Sequence, residues 1–106
     1  MPKYLLEVNY TLDGIRGVKS AGGSARVAAA KELIESLGGK MEAFYFAFGG
    51  TDVYAIADLP DSSSAAAAAL AVSAGGGATV RTVVLLTPAE MDEAAASQTT
   101  YRPPGS

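Results

Sequence analysis

The stretch FAFGGTDVYAIADLPD, residues Phe46–Asp61, sets two glycines, a threonine and an aspartate between two runs of strand-forming residues. KMEAFYFAF, Lys40–Phe48, reads as one strand, and DVYAIADL, Asp52–Leu59, as the next. Only Gly49, Gly50 and Thr51 separate them, which is hairpin spacing. Gly49 or Gly50 is expected to hold a positive φ, where a side chain would be strained. Asp52 is expected to fold its carboxylate back onto the turn amides, as turn aspartates commonly do.

Helical patterns flank this hairpin. Before it, SARVAAAKELIESLGG carries Val27, Ala30, Ile34 and Leu37 at helical spacing, with Leu33 widening the stripe. Ser24 is the expected N-cap, and Gly38 and Gly39 the stop. Lys31 and Glu35 form an i,i+4 pair on the outer side. After the hairpin, Pro60 closes the strand and a residue of Asp61–Ser64 caps a helix whose alanine run, Ala65–Ala69, lets it sit close to a sheet. Gly75–Gly77 end that helix. KYLLEVNYT, Lys3–Thr11, and ATVRTVVLL, Ala78–Leu86, supply an outer strand at each end of the pattern. LDGIRGVKSAGG, with four glycines in twelve residues, reads as a loop with one turn of helix. Thr87, Pro88 and Glu90 form a strong helix start. The order β-α-β-β-α-β predicts an α+β, ferredoxin-like fold. It has an antiparallel four-stranded sheet, two helices on one face and an extra C-terminal helix. Residues 1–96 form the domain, and residues 97–106 read as a mobile tail.

The composition bounds the chemistry. The 106 residues are enough for a single domain, 49% of them are hydrophobic and 18% charged. A net charge of −3 without a basic run argues against nucleic acid as a partner. The chain has no cysteine and no histidine, so it lacks thiolate chemistry, the usual neutral-pH base and the commonest transition-metal ligands. No metal and no cofactor is expected. No apolar run reaches membrane-spanning length, and MPKYLLEVNY does not read as a signal peptide. A cytoplasmic protein with no membrane partner is the expectation.

Two helices cover one face of a four-stranded sheet, so the other face meets water or a partner. By strict alternation Met41, Ala43, Tyr45 and Ala47 oppose Glu42, Phe44, Phe46 and Phe48, while Val80, Thr82, Val84 and Leu86 oppose Arg81, Val83 and Leu85. Neither face of either strand is polar, unlike a sheet with one solvated side. A homo-oligomer, at least a dimer, is therefore expected.

YLLEVNYTLDGIRGV, SARVAAAKELIESLGGKMEAFYFAFG and GTDVYAIADLPD together resemble the GYD-domain family, small proteins related to the dimeric α/β-barrel superfamily. The resemblance runs from about Pro2 to about Glu93. Gly49, Thr51 and Asp52 fall at the turn that gives the family its name, with Thr51 standing where the tyrosine would be. SLGGK and the pair Thr11 and Gly14 add to the match. The resemblance implies ferredoxin-like topology and oligomerisation, and it implies no defined chemistry.

The candidate ligand-binding residues are Glu7, Asn9, Tyr45, Asp52, Tyr54 and Arg81. On a sheet they could converge into a pocket holding a small polar molecule, or pair across strands without a ligand. Asp52 and Asp58 lie too far apart along one strand to act as a carboxylate pair, roughly 20 Å at 3.3 Å per residue. KSAGGSAR, Lys19–Arg26, reads as ordinary helix capping. Two functions follow: a ligand-binding or regulatory module, or a cofactor-independent enzyme of the dimeric α/β-barrel type, an oxygenase or isomerase using carboxylate and tyrosine chemistry. Fold analogy alone supports the enzyme.

Overall fold

The computed structural model describes residues 1–105. Its elements are β1 (Lys3–Tyr10), α1 (Leu12–Ala21), α2 (Gly23–Ser36), β2 (Lys40–Phe46), β3 (Val53–Asp58), α3 (Ser62–Ala74), β4 (Ala78–Leu85) and α4 (Pro88–Ala96). The strands form one antiparallel sheet in the order β2-β3-β1-β4, an α+β ferredoxin-like arrangement. The tail from Gln98 to Pro103 forms no regular element, and Ser106 lies outside the described residues.

The strand β3 sets the two faces. Val53, Ala55 and Ala57 are buried and alternate with Tyr54, Ile56 and Asp58 on the opposite side. Tyr4 and Leu6 of β1 pair with Ala57 and Ala55 and share the buried face. Ile34 of α2 and Ala65 and Ala68 of α3 complete the core. Ala65 and Ala68 are the residues by which α3 enters this cluster.

On β2 the pattern departs from strict alternation. The register shifts between Met41 and Ala43, so Met41 pairs with Ala57 while Ala43 pairs with Ile56. This bulge turns Met41 to the same side as Phe44 and Phe46, not that of Ala43 and Tyr45. The rings of Phe44 and Phe46 meet edge to face with centroids 5.3 Å apart. A period-two reading cannot foresee a residue that drops out of the ladder.

The segment after β1 is a helix of 10 residues, not a loop with a single turn. Thr11 caps it, its hydroxyl accepting from the Gly14 N–H at 3.2 Å and donating to the Gly76 carbonyl at 2.9 Å. The Thr11 N–H also donates to the Gly77 carbonyl at 2.9 Å. The glycines cost helix propensity, and this docking on the Gly76–Gly77 turn offsets it. α2 then follows after Gly22 alone, and it begins at Gly23, so Ser24 lies inside the helix and caps nothing. Its end matches expectation. Gly38 has φ of 80°, and the N–H groups of Gly38 and Gly39 donate to the Glu35 and Ile34 carbonyls in a Schellman motif. The expected Lys31–Glu35 pair does not form; the ion pairs among the described residues join Lys3 to Glu42 and Asp58, and Arg81 to Glu7.

Asp61 caps α3, accepting from the Ser64 N–H at 2.8 Å and its hydroxyl at 2.9 Å. Thr87 and Glu90 form the anticipated capping box on α4, with Pro88 in the first turn. The backbone bond from Ser64, then its hydroxyl, holds the Asp61 carboxyl below its ordinary pKa; bonds from Thr87 do the same for Glu90. A lowered folded pKa adds stability above the ordinary carboxylate range, and this is lost as pH falls through the lowered value. Asp61→Ala should therefore reduce the melting temperature most near neutral pH. Its difference from the wild type should shrink on acidification, which melting curves across the acid range will measure.

Candidate functional site

The face of the sheet turned away from α2 and α3 carries three successive rows, each crossing the strands. Ala43, Ile56, Leu5 and Val83 stand side by side in the apolar middle row. On one side lies a row of Tyr45, Tyr54, Glu7 and Arg81. On the other side Lys3 lies between Asp58 and Leu85. The Lys3 ammonium donates to Glu42 and to Asp58, the latter at 2.9 Å, and these bonds, Glu42 first, raise its pKa above the ordinary lysine value.

Four of the six candidate residues thus form one line across the sheet. The Tyr45 side is open, with the residue 71% exposed. Arg81 Nε lies 3.7 Å from Glu7 Oε2, and its Nη2 donates to Thr51 Oγ1 at 3.0 Å. Asn9 sits one step further along β1, and its amide donates to the Gly50 carbonyl at 2.7 Å. The fifth candidate therefore holds the loop between β2 and β3. Thr51 is a buried polar residue at 6% exposure, and its hydroxyl is the acceptor that orients Arg81. Nothing in the sequence pattern singled out Thr51 as a contact of Arg81, because the two meet only across β1.

Asp52, the sixth, works differently from the expected turn brace. β2 ends at Phe46 and β3 begins at Val53, so the connection is longer than a tight hairpin, closed by the Ala47 N–H donating to the Asp52 carbonyl at 2.8 Å. Neither Gly49 nor Gly50 has a positive φ, and a Cβ on either would meet no atom within 4 Å. The wider loop removes the need for a left-handed residue. The Asp52 carboxylate accepts from the Tyr10 N–H of β1 at 2.8 Å, not from the turn amides, while its own N–H donates to the Val8 carbonyl at 2.9 Å. It extends the β1–β3 ladder beyond its last backbone pair. Asp52→Ala leaves the half-buried Tyr10 N–H without its acceptor and should cost about 1.5–3 kcal/mol. Asp52→Asn retains an acceptor oxygen and should cost much less, and Gly50→Val should cost almost nothing; denaturant midpoints will rank the three.

The opposite side of the sheet holds a feature with no counterpart among the candidates. Between the sheet, α2 and α3 lies a cavity of about 130 Å³, walled by apolar side chains that include Leu6, Phe44, Ala55 and Val72. Tyr10 and Arg26 line both it and a wider cleft of about 350 Å³ whose lining includes Gly14, Gly75 and Gly77. Burial raises the Tyr10 pKa, the Arg26 charge opposes this and the Asp52 charge adds to it, so the phenol stays a neutral donor. The signal in the sequence was the alanine content of both helices, which reads as close packing until the opposing wall is known.

No helix among the described residues is long and apolar enough to cross a membrane. No curated protein and no solved structure matches the chain. The family model described as GYD domain matches residues 4–95, a span that takes in β2, β3, β4, α1, α2, α3, the Thr51–Asp52 turn and all but one residue each of β1 and α4. With that span matched and the topology in place, the chain belongs to the GYD domain family.

Proposed function

We propose that the protein is an oligomeric ligand-binding or regulatory module, in which two copies pack open sheet face against open sheet face. The observation that carries this is the apolar middle row Ala43, Ile56, Leu5 and Val83, in which each residue keeps some exposure to solvent in the single chain. Burying apolar surface contributes about 25 cal/mol per Å². Charges of both signs flank the row, Lys3 with Glu42 and Asp58 on one side and Arg81 with Glu7 on the other. Such a face can meet its own two-fold copy without setting like charges together. The single chain is also elongated, with extents of 57 × 33 × 23 Å and a radius of gyration of 16.8 Å, against about 13 Å for a compact domain of this length. α4 buries none of its residues.

The row Tyr45, Tyr54, Glu7 and Arg81 offers phenols, a carboxylate and a guanidinium to a small polar molecule held between two sheets. A cytoplasmic setting belongs to the same reading. Light scattering at micromolar concentration should return a multiple of 10.7 kDa. A mass equal to the single chain would overturn the proposal.

A further inference from the structure

We propose that the cavity between the helices and the sheet binds a small carboxylate with an apolar body, the body inside and the carboxylate at Arg26 and Tyr10. This site lies on the other side of the sheet from the proposed interface and does not rest on self-association.

The chamber is the first argument. It is an apolar recess of about 130 Å³, open on one side to solvent. An apolar cavity of about 150 Å³ stays dry and takes up benzene. The space exists because α2 offers Ala29 and Ala30, and α3 Ala68 and Ala69, where larger side chains would fill it.

The mouth is the second argument. Arg26 and Tyr10 line both the chamber and the outer cleft, and no carboxylate lines either. The Arg26 guanidinium is exposed and enters no ion pair among the described residues. The nearest carboxylate that acts on Tyr10, that of Asp52, is engaged by the Tyr10 backbone N–H. The side-chain polar groups at the opening are therefore a cationic donor and a phenol that can also donate, beside an apolar lining. That arrangement selects an anion over a neutral or cationic head. The chamber accepts a single ring or a short branched chain.

The probes are phenylacetate and its neutral isostere phenylacetamide, titrated into the full chain while amide resonances are followed by NMR. Phenylacetate should perturb Leu6, Tyr10, Ala55 and Val72 saturably, and phenylacetamide should bind about tenfold more weakly, the usual worth of a charge-assisted bond. Arg26→Gln should bring phenylacetate down to the level of the amide. Ala69→Leu should abolish binding of both, with an unchanged circular dichroism spectrum showing that it folds. Ile56→Lys, on the opposite face, should leave binding intact even if it changes the mass in solution, so failure of the interface and failure of this site are told apart. Equal binding of acid and amide, indifference to Arg26→Gln, perturbations confined to Tyr45 and Tyr54, or no saturable response to either probe would each overturn the proposal.

Discussion

Gly14→Ala should lower the melting temperature by about 10 °C, although alanine is the better helix former. A Cβ at position 14 would lie 1.8 Å from the Gly77 carbonyl oxygen and 2.8 Å from its carbon. Those atoms are backbone, held by the Thr11 N–H and followed at once by β4, so they cannot swing aside as a side-chain tip would. α1 must lift from the turn, and the bonds from Thr11 to Gly76 and Gly77 lengthen or break. Overpacking of this kind costs about 1–3 kcal/mol or more, against a helix-propensity gain of about 1 kcal/mol. At roughly 4–8 °C per kcal/mol for a domain of this size, a net loss near 2 kcal/mol gives the stated shift. Gly17 supplies the control. It lies in the same helix, and a Cβ there meets nothing within 4 Å, so Gly17→Ala should raise the melting temperature by a few degrees. Parallel movement of the two variants would show that the Gly14–Gly77 contact does not hold α1.

Ile56→Lys should convert the proposed oligomer to a monomer, with little loss of folding stability in the single chain. Ile56 sits in the middle row between Ala43 and Leu5. In a monomer a lysine there reaches water and has the Asp58 and Glu7 carboxylates nearby on the same face. Within two packed sheets the same ammonium loses its hydration among apolar side chains. An unpaired buried charge costs several kcal/mol, which weakens association by about a hundredfold or more. Sedimentation over a range of concentrations will show whether the mass falls to that of one chain. A variant that keeps the wild-type mass would place the interface elsewhere.

The candidate residues show how far a linear reading reaches. Glu7, Tyr45, Tyr54 and Arg81 were legible because each strand announced itself, and alternation alone assigns each to a face. That they stand in one line depends on register, which pairs Tyr45 with Tyr54, Tyr54 with Glu7 and Glu7 with Arg81. Asp52 was legible as a structural acid, but its partner, the Tyr10 N–H, is 42 residues away. The Tyr10 and Arg26 cavity was not legible at all. Alanine runs in two helices describe thin elements, and whether thin elements close on a sheet or leave a chamber depends on the residues that face them.

Local physical chemistry determined the four strands, the helices α2, α3 and α4, the caps at Asp61 and Thr87, the Schellman stop at Gly38 and the absence of cysteine and histidine chemistry. These rest on bonds between residues a few positions apart, or on composition, and both are written along the chain. Tertiary structure decided the rest. It turned a glycine-rich segment into α1, because contact with Gly76 and Gly77 outweighs poor propensity. It moved Met41 to the helix side through a bulge, and it relieved Gly49 and Gly50 of any left-handed turn. It also opened the cavity at Arg26. Each of these outcomes is set by atoms brought together from distant parts of the chain, where close approach and burial carry more free energy than local preference.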